Sequence, residues 1–200
     1  MSAPDPLSSV IKALTADGRG SSDFDLNTDT VLPPDRKLRE AAVLVPLIQR
    51  ENGLRVILTK RSSQLKHHPG QIAFPGGKVD PGDIDAPAAA LREAYEEIGL
   101  PRGNAELLGE LPPHETVTGF MVTPVVARIA PFEPVPEPGE VDEIFEVPLA
   151  HISDVTRFTI QHRRWLGQRR YYYTVPYGPY YIWGATARVL RGLAERMKSL

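Results

Sequence analysis

The sequence predicts an α+β domain, a mixed β-sheet with helices packed on it. Apolar, partly β-branched runs at 41–48 and 54–59 flank the turn Glu51-Asn52-Gly53, the mark of a hairpin. Apolar residues recur at helical spacing near the N-terminus, within 83–99 and within 185–197. Strand and helix signals mix without the regular strand–helix–strand rhythm of a doubly wound sheet, and no internal repeat is present.

In chain order, Leu7, Val10, Ile11 and Leu14 predict a short amphipathic helix. Residues 15–37 are rich in Asp, Gly, Ser and Pro and predict loop, so 1–38 is expected to be a helix with a mobile arm and 39–200 the domain proper. Pro46 predicts an edge or bulge in its strand, because it has no N–H for a ladder. The polar, basic stretch 60–70 ends in His67-His68-Pro69-Gly70 and is expected to be a loop, with a brief strand at 71–74. Pro75-Gly76-Gly77 is expected to be a turn whose glycines allow positive φ and close approach of a ligand.

The next helix should begin at a cap supplied by Asp83 or Asp85, tolerate Pro87 in its first turn, and end at Gly99 with Leu100 as the hydrophobic contact of a left-handed cap. Its apolar stripe is Ala90, Leu91, Ala94 and Ile98, offset from its glutamates. Strands at 106–111 and 121–129 flank a loop at 112–119 that carries His114 and Glu115. Residues 131–139 are too proline-dense for regular structure and lead to core positions Ile144, Val147 and Leu149. A second hairpin, 158–166 with 170–175, turns at Gly167-Gln168. The tyrosines between 171 and 181 suit strand and core packing better than substrate stacking. The closing helix turns Ala187, Leu190, Leu193 and Met197 inward.

With 200 residues, 42% of them hydrophobic, the chain can bury one sizeable core. The absence of cysteine excludes disulfides and thiolate chemistry and suits a reducing, cytoplasmic setting. No apolar run reaches the ~18 residues of a membrane span. The N-terminus lacks a basic n-region and is acidic from Asp5, unlike a signal or transit peptide, and the final Lys-Ser-Leu is expected to be a helix end rather than a peroxisomal address. A net charge of −2 gives no broad attraction to nucleic acid or membrane, so an anionic small molecule must be held by local groups.

Glu93, Glu96 and Glu97 stand at i, i+3 and i+4, which places three like charges on one side of a helix, where they repel. A hard divalent cation, which takes oxygen ligands from a few carboxylates and substrate phosphates, would relieve the repulsion. A solvated acidic face is the ordinary alternative for an isolated run of this kind.

Arg92-Glu93-Ala94-Tyr95-Glu96-Glu97-Ile98-Gly99-Leu100, preceded by Gly77 and Asp83, resembles the Nudix box, REUxEExGU after a glycine and an acid at set spacings. Asp83 replaces the usual glutamate, and eight residues rather than seven separate it from Arg92. The extra residue precedes the helix, so the three glutamates keep their relative placement; it bears on the contact from Asp83 back to the helix. A second stretch, ILTKRSSQLKHHPGQIAFPGG at 57–77, is similar to LLTxR(S/A)x3Rx3Gx3FPGG, the signature of the coenzyme A pyrophosphatase (CoA diphosphatase) branch, with Ile57 and Lys66 as substitutions. Lys66 keeps the charge of the arginine it replaces without the bidentate fork. Residues 140–149 and 182–187 extend the likeness, which spans roughly 40–195.

The resemblance implies the Nudix fold, a mixed sheet between helices in an α/β/α sandwich. It implies hydrolysis of coenzyme A to adenosine 3′,5′-bisphosphate and 4′-phosphopantetheine with Mg2+ or Mn2+, which neutralises the pyrophosphate and activates water. Glu93, Glu96 and Glu97 are then the metal ligands. Arg92 orients the carboxylates, with a plain surface ion pair to Glu96 as the alternative. Glu140 or Glu143, Glu140 preferred, is the general base, with His114 and Glu115 as weaker candidates. Lys60, Arg61, Lys66 and His68 grip substrate phosphates, and Gly76 and Gly77 shape the backbone beside the metal. A homodimer is compatible with the family. Two alternatives stand beside this one: another nucleoside diphosphate derivative such as ADP-ribose as substrate, and a binding module without catalysis, against which the intact glutamates speak.

Overall fold

The computed structural model describes residues 5–33, 35–165 and 167–199. Leu166, expected at the end of the first strand of the second hairpin, Leu200, expected in the helix end, and residues 1–4 of the N-terminus lie outside them. In chain order the elements are α1 (Pro6–Thr15), β1 (Ser21–Ser22), β2 (Arg39–Arg50), β3 (Gly53–Arg61), β4 (Ile72–Ala73), β5 (Gly76–Lys78) and α2 (Ala86–Ile98). There follow β6 (Ala105–Glu110), β7 (His114–Glu115), β8 (Phe120–Ile129), β9 (Val141–Pro148), α3 (Leu149–Ile152), β10 (Thr159–Trp165), β11 (Gln168–Thr174) and α4 (Gly184–Lys198).

Among the described residues the first nine strands form one mixed sheet with the path β1-β7-β8-β2-β3-β4; β5 pairs with β2, β6 with β8 and β9 with β3. β10 and β11 form a separate hairpin. Alternation along the strands divides the core. Leu44, Ile48, Ile57, Val125 and Ala127 face α2, whereas Val45, Leu47, Val56, Leu58 and Val147 face the layer that contains α4. The α/β/α sandwich is thus the observed architecture. No helix among the described residues is long and apolar enough to cross a membrane.

Several short elements depart from the sequence expectation. Lys60 and Arg61 belong to β3, not to the following loop, because β9 continues to pair with them. Residues 76–78 are a strand on β2 rather than a turn alone. Short strands β1 and β7 arise inside stretches expected to be loop, and they pair in parallel, Ser21 with His114 and Ser22 with Glu115. Isolated two-residue strands leave no periodicity to read. Pro46 sits where β2 changes partner: β5 pairs with residues 41–43 and β3 with 47–50. The N–H of Leu44, on the same side as position 46, reaches Pro75 O, so the missing donor falls in the gap between two partners.

α1 docks on α4, with Val10 and Ala13 fully buried, and Arg196 donates to Ala13 O at 3.2 Å near its C-terminal end. Beyond it, the Asp23 carboxylate accepts from Val117 N–H at 2.8 Å and from His114 Nε2 at 3.2 Å. Ser21 Oγ lies 2.9 Å from His114 Nδ1, so a fully buried imidazole is bonded at both nitrogens. Asp23→Ala is expected to cost about 2–4 kcal/mol in urea unfolding, because it strands that ring. Burial disfavours the Asp23 carboxylate, but the His114 bond and charge, the Val117 N–H and the charge of Arg170 together hold its pKa below the usual 3.8. A depressed carboxylate stabilises fully above the unfolded value and loses this as pH falls through the folded one, so wild-type and Asp23→Ala midpoints should converge in that acid range.

Candidate active site

α2 is fixed at both ends. Asp85 accepts Ala88 N–H at 2.8 Å, and Gly99, at φ 69°, donates back toward Ala94 O and Tyr95 O. Leu100 is buried beyond this cap, as the sequence predicted. The packing of Ala90, Ala94 and Ile98 on the sheet sets the rotation of the helix, which gives the three glutamates different surroundings. Glu97 is only 3% exposed and lies among the helix's buried residues, not offset from its apolar stripe as the sequence suggested. Glu93 is half-buried and Glu96 is exposed.

Glu97 Oε2 accepts Gly76 N–H at 3.1 Å, and Oε1 lies 3.8 Å from Arg61 Nη1. Burial pushes its pKa up to about 7; the Gly76 N–H and Arg61 oppose this, and the charges of Glu93 and Glu140 add to it. Burial also raises Glu93 against the pull of Arg92, with Glu96 and Glu140 adding to the rise. The acids therefore form one mutually repelling group.

Arg92 is the clasp of this group. It donates to both oxygens of Asp83 at 3.0 and 2.9 Å, to Glu93 at 2.9 Å, to Glu96 at 3.3 Å and to Lys78 O at 3.1 Å. The contact from Asp83 to the helix, which the extra residue put at issue, is thus made, and it is bidentate. The surface pair with Glu96 is also made, as one arm of a larger network. Arg92→Lys keeps one charge but loses the fork that reaches three carboxylates. Turnover is expected to fall about 10- to 100-fold, with the metal requirement moved to higher concentration, as assayed by metal titration of activity.

β5 is the floor. A Cβ on Gly77 would stand 2.5 Å from the Glu93 carboxylate, and one on Gly76 would stand 2.5 Å from Ala42 O. Gly76 is required by its close approach to the β2 backbone and by its φ of 156°, whereas a Cβ on Gly77 would press on a side-chain head.

Among the described residues, no three acidic, histidine or cysteine side chains converge closely enough to hold an ion by themselves. The donors nevertheless fit a hard cation: they are carboxylate oxygens, one of them buried with a raised pKa, beside a glycine floor that leaves their heads room. Mg2+ commonly completes its shell with water and substrate phosphate, so an open group of this kind suits it.

The proline-rich segment crosses the end of α2, where Val135 N–H reaches Ile98 O and Glu137 N–H reaches Glu97 O. This brings Glu140 close enough for its charge to act on Glu93 and Glu97. Glu143 instead accepts from the Tyr180 hydroxyl, and Tyr180 stacks on Phe145 at 3.6 Å. His114 and Glu115 lie on β7, the first held by Ser21 and Asp23, the second paired with Arg36.

Next to the acids, a cavity of about 260 Å3 includes Arg61, His68 and Gly76 in its walls. Lys60 and Lys66 do not border it; Lys60 lies near Asp142, and Lys66 is exposed in the following turn. His68 holds φ 55°, uncommon for a residue with a side chain, directly before Pro69. The lining also holds His114, which the sequence offered as a weaker general-base candidate, together with groups it did not single out: Asp23, Arg163, Trp183 and the first turn of α4. The hairpin register that places Arg163 differs from the one expected, because Gln168 belongs to β11 and pairs with Trp165 instead of forming part of the turn. The others come from distant parts of the chain.

A family model described as the NUDIX domain matches residues 38–168. The chain is 46% identical over 166 residues to the "Uncharacterized Nudix hydrolase NudL" of Enterobacter sp. (strain 638), covering 78% of this chain and 81% of that one. The protein of the same name from Escherichia coli (strain K12) is 45% identical with the same coverage. Among solved structures, a MutT/nudix family protein from Enterococcus faecalis superposes with TM-score 0.53 at 17% identity, covering all of this chain and 76% of the other. The MutT protein from Methanosarcina mazei Go1 gives 0.52 at 21% identity, covering 84% and 97%. These two likenesses concern the fold.

Proposed function

The chain belongs to the Nudix hydrolase family, and from that premise we propose that it hydrolyses the pyrophosphate bond of coenzyme A or its acyl derivatives. The products are adenosine 3′,5′-bisphosphate and 4′-phosphopantetheine or its acyl form, with water adding across the P–O–P linkage. The observation that carries the reading is the buried Glu97, bonded to the Gly76 N–H of the FPGG turn and facing Arg61, where the acid box and the upstream signature meet.

In this reading Glu93, Glu96 and Glu97 would hold Mg2+ or Mn2+, which when bound supplies charge neutralisation for the pyrophosphate and activation of water. Arg92 orients Glu93 and Glu96, and the Gly76 N–H orients Glu97. Arg61 and His68 present donors to the phosphates from the cavity wall, while Lys60 and Lys66 add positive charge nearby. Gly76 and Gly77 admit those phosphates close to the backbone. Glu140 accepts the proton of the attacking water, since Glu143 is engaged by Tyr180. The cysteine-free composition fits work in the cytoplasm.

The deciding experiment incubates the protein with coenzyme A, acetyl-CoA, ADP-ribose and NADH, each with Mg2+ or Mn2+, and separates the products. A CoA species is expected to turn over fastest. Faster turnover of ADP-ribose would overturn the substrate assignment, and no turnover by folded, metal-supplied protein would favour a binding module.

A further inference from the structure

We propose that Arg163 and Arg170 form a binding site for a phosphate monoester on the nucleoside part of the substrate, remote from the bond that is cut. The proposal rests on the nucleotide reading above and deepens it.

The hairpin β10–β11 sets Arg163 directly opposite Arg170, and Arg164 opposite Arg169. Like charges facing each other across a strand pair repel, so the Arg163–Arg170 pair concentrates positive charge on one face of the hairpin. A doubly charged anion is attracted to such a pair. Arg163 is also held in place: its guanidinium lies 4.5 Å over the Trp183 ring, which packs at 5.0 Å against Tyr172. A guanidinium stacked on an aromatic face keeps its edge donors free to meet phosphate oxygens two at a time.

The location is continuous with the acids. Arg163 and Trp183 border both the cavity that reaches Arg61 and Gly76 and a smaller one that reaches Arg170 and Tyr172. A ligand with its pyrophosphate at Arg61 therefore meets a second basic group farther along the same groove. Asp23 borders both cavities, accepts from His114 and Val117, and balances part of the Arg170 charge. Arg170 lies 5.4 Å from the Phe24 ring as well, so it is positioned from the N-terminal arm. The first turn of α4, which begins at Gly184 without a side-chain cap, faces the same space and adds its positive end. The bisphosphate nucleoside of coenzyme A carries a group of the required kind; a nucleoside with a single phosphate does not.

The test is calorimetric titration of adenosine 3′,5′-bisphosphate and adenosine 5′-monophosphate into wild type, Arg163→Lys, and the Arg163→Ala/Arg170→Ala double variant. Wild type should favour the bisphosphate about 10- to 100-fold, the worth of one or two charged hydrogen bonds. The double variant should bring that ratio to within about threefold of unity, and the ratio cancels any general loss of affinity. Arg163→Lys, which keeps the charge, should give an intermediate ratio and serves if the double variant does not fold. Equal binding by wild type, or a ratio unchanged in the variants, would overturn the site. Preference for the bisphosphate without hydrolysis of any CoA species would instead leave this site standing and remove the coenzyme A reading.

Discussion

Glu97→Gln is expected to lower turnover about a thousandfold while leaving the metal-free fold as stable as wild type or more so. Charge stabilisation by a bound cation is worth several kcal/mol, and each ~1.36 kcal/mol is a factor of ten, so loss of the most buried of the three proposed ligands should cost at least that much rate. Stability moves the other way. Raising a carboxylate from 4.5 to about 7 means the folded chain keeps a proton that the unfolded chain releases. Stability therefore falls as pH rises across that range, and the penalty is complete above it. Glutamine removes the charge and its oxygen can still accept Gly76 N–H, so at pH 8 with chelator the variant should gain on the order of 1–3 kcal/mol in urea unfolding, and nothing at pH 4. Near-normal turnover, or a variant less stable than wild type at pH 8, would contradict the assignment of Glu97.

Gly76→Ala has the second large effect, on fold and activity together. The new Cβ would stand 2.5 Å from Ala42 O and 2.6 Å from Val43 Cα, both backbone atoms of β2, at a φ of 156°. β2 cannot yield without losing its pairing of Val43 with Gly76. A cost of about 3 kcal/mol or more is expected, lowering Tm by about 6–12 °C in a chain of this size. Turnover should collapse too, because the Gly76 N–H that orients Glu97 is displaced. Gly77→Ala is the contrast: the three atoms nearest its Cβ all belong to the Glu93 carboxylate, at the far end of a side chain, and none to the backbone. It should melt near wild type yet lose activity, and equal melting of the two variants would refute the distinction.

Long periodic elements were legible in the sequence for simple reasons. Asp85, Pro87, Gly99 and Leu100 each satisfy one backbone requirement of α2, and the apolar runs of β2 and β3 have no competing assignment. The acids could be placed on one helix, but their unequal burial could not be read, since it depends on β5 lying under Glu97. β5 itself was hidden because three residues with two glycines carry no strand pattern. The bond from Asp83 to Arg92 was obscured because spacing along a loop does not fix distance in space. Lys60, Arg61, Lys66 and His68 were adjacent in sequence, yet strand alternation and the following turn leave Arg61 and His68 on the cavity and the two lysines away from it. Arg163 and Arg170 were hidden by the register: a hairpin turning at Gly167-Gln168 sets Arg163 opposite Tyr172, whereas the observed pairing of Trp165 with Gln168 sets it opposite Arg170.

Whether the acid face of α2 is a cation site is decided most directly by titrating Mn2+ into the protein and following the free ion by electron paramagnetic resonance, with no turnover required. Wild type should take up Mn2+ saturably, and Glu93→Gln and Glu97→Gln should each weaken uptake about 10- to 100-fold or more. Uptake by both variants indistinguishable from wild type would place the metal elsewhere and contradict the role assigned to these glutamates.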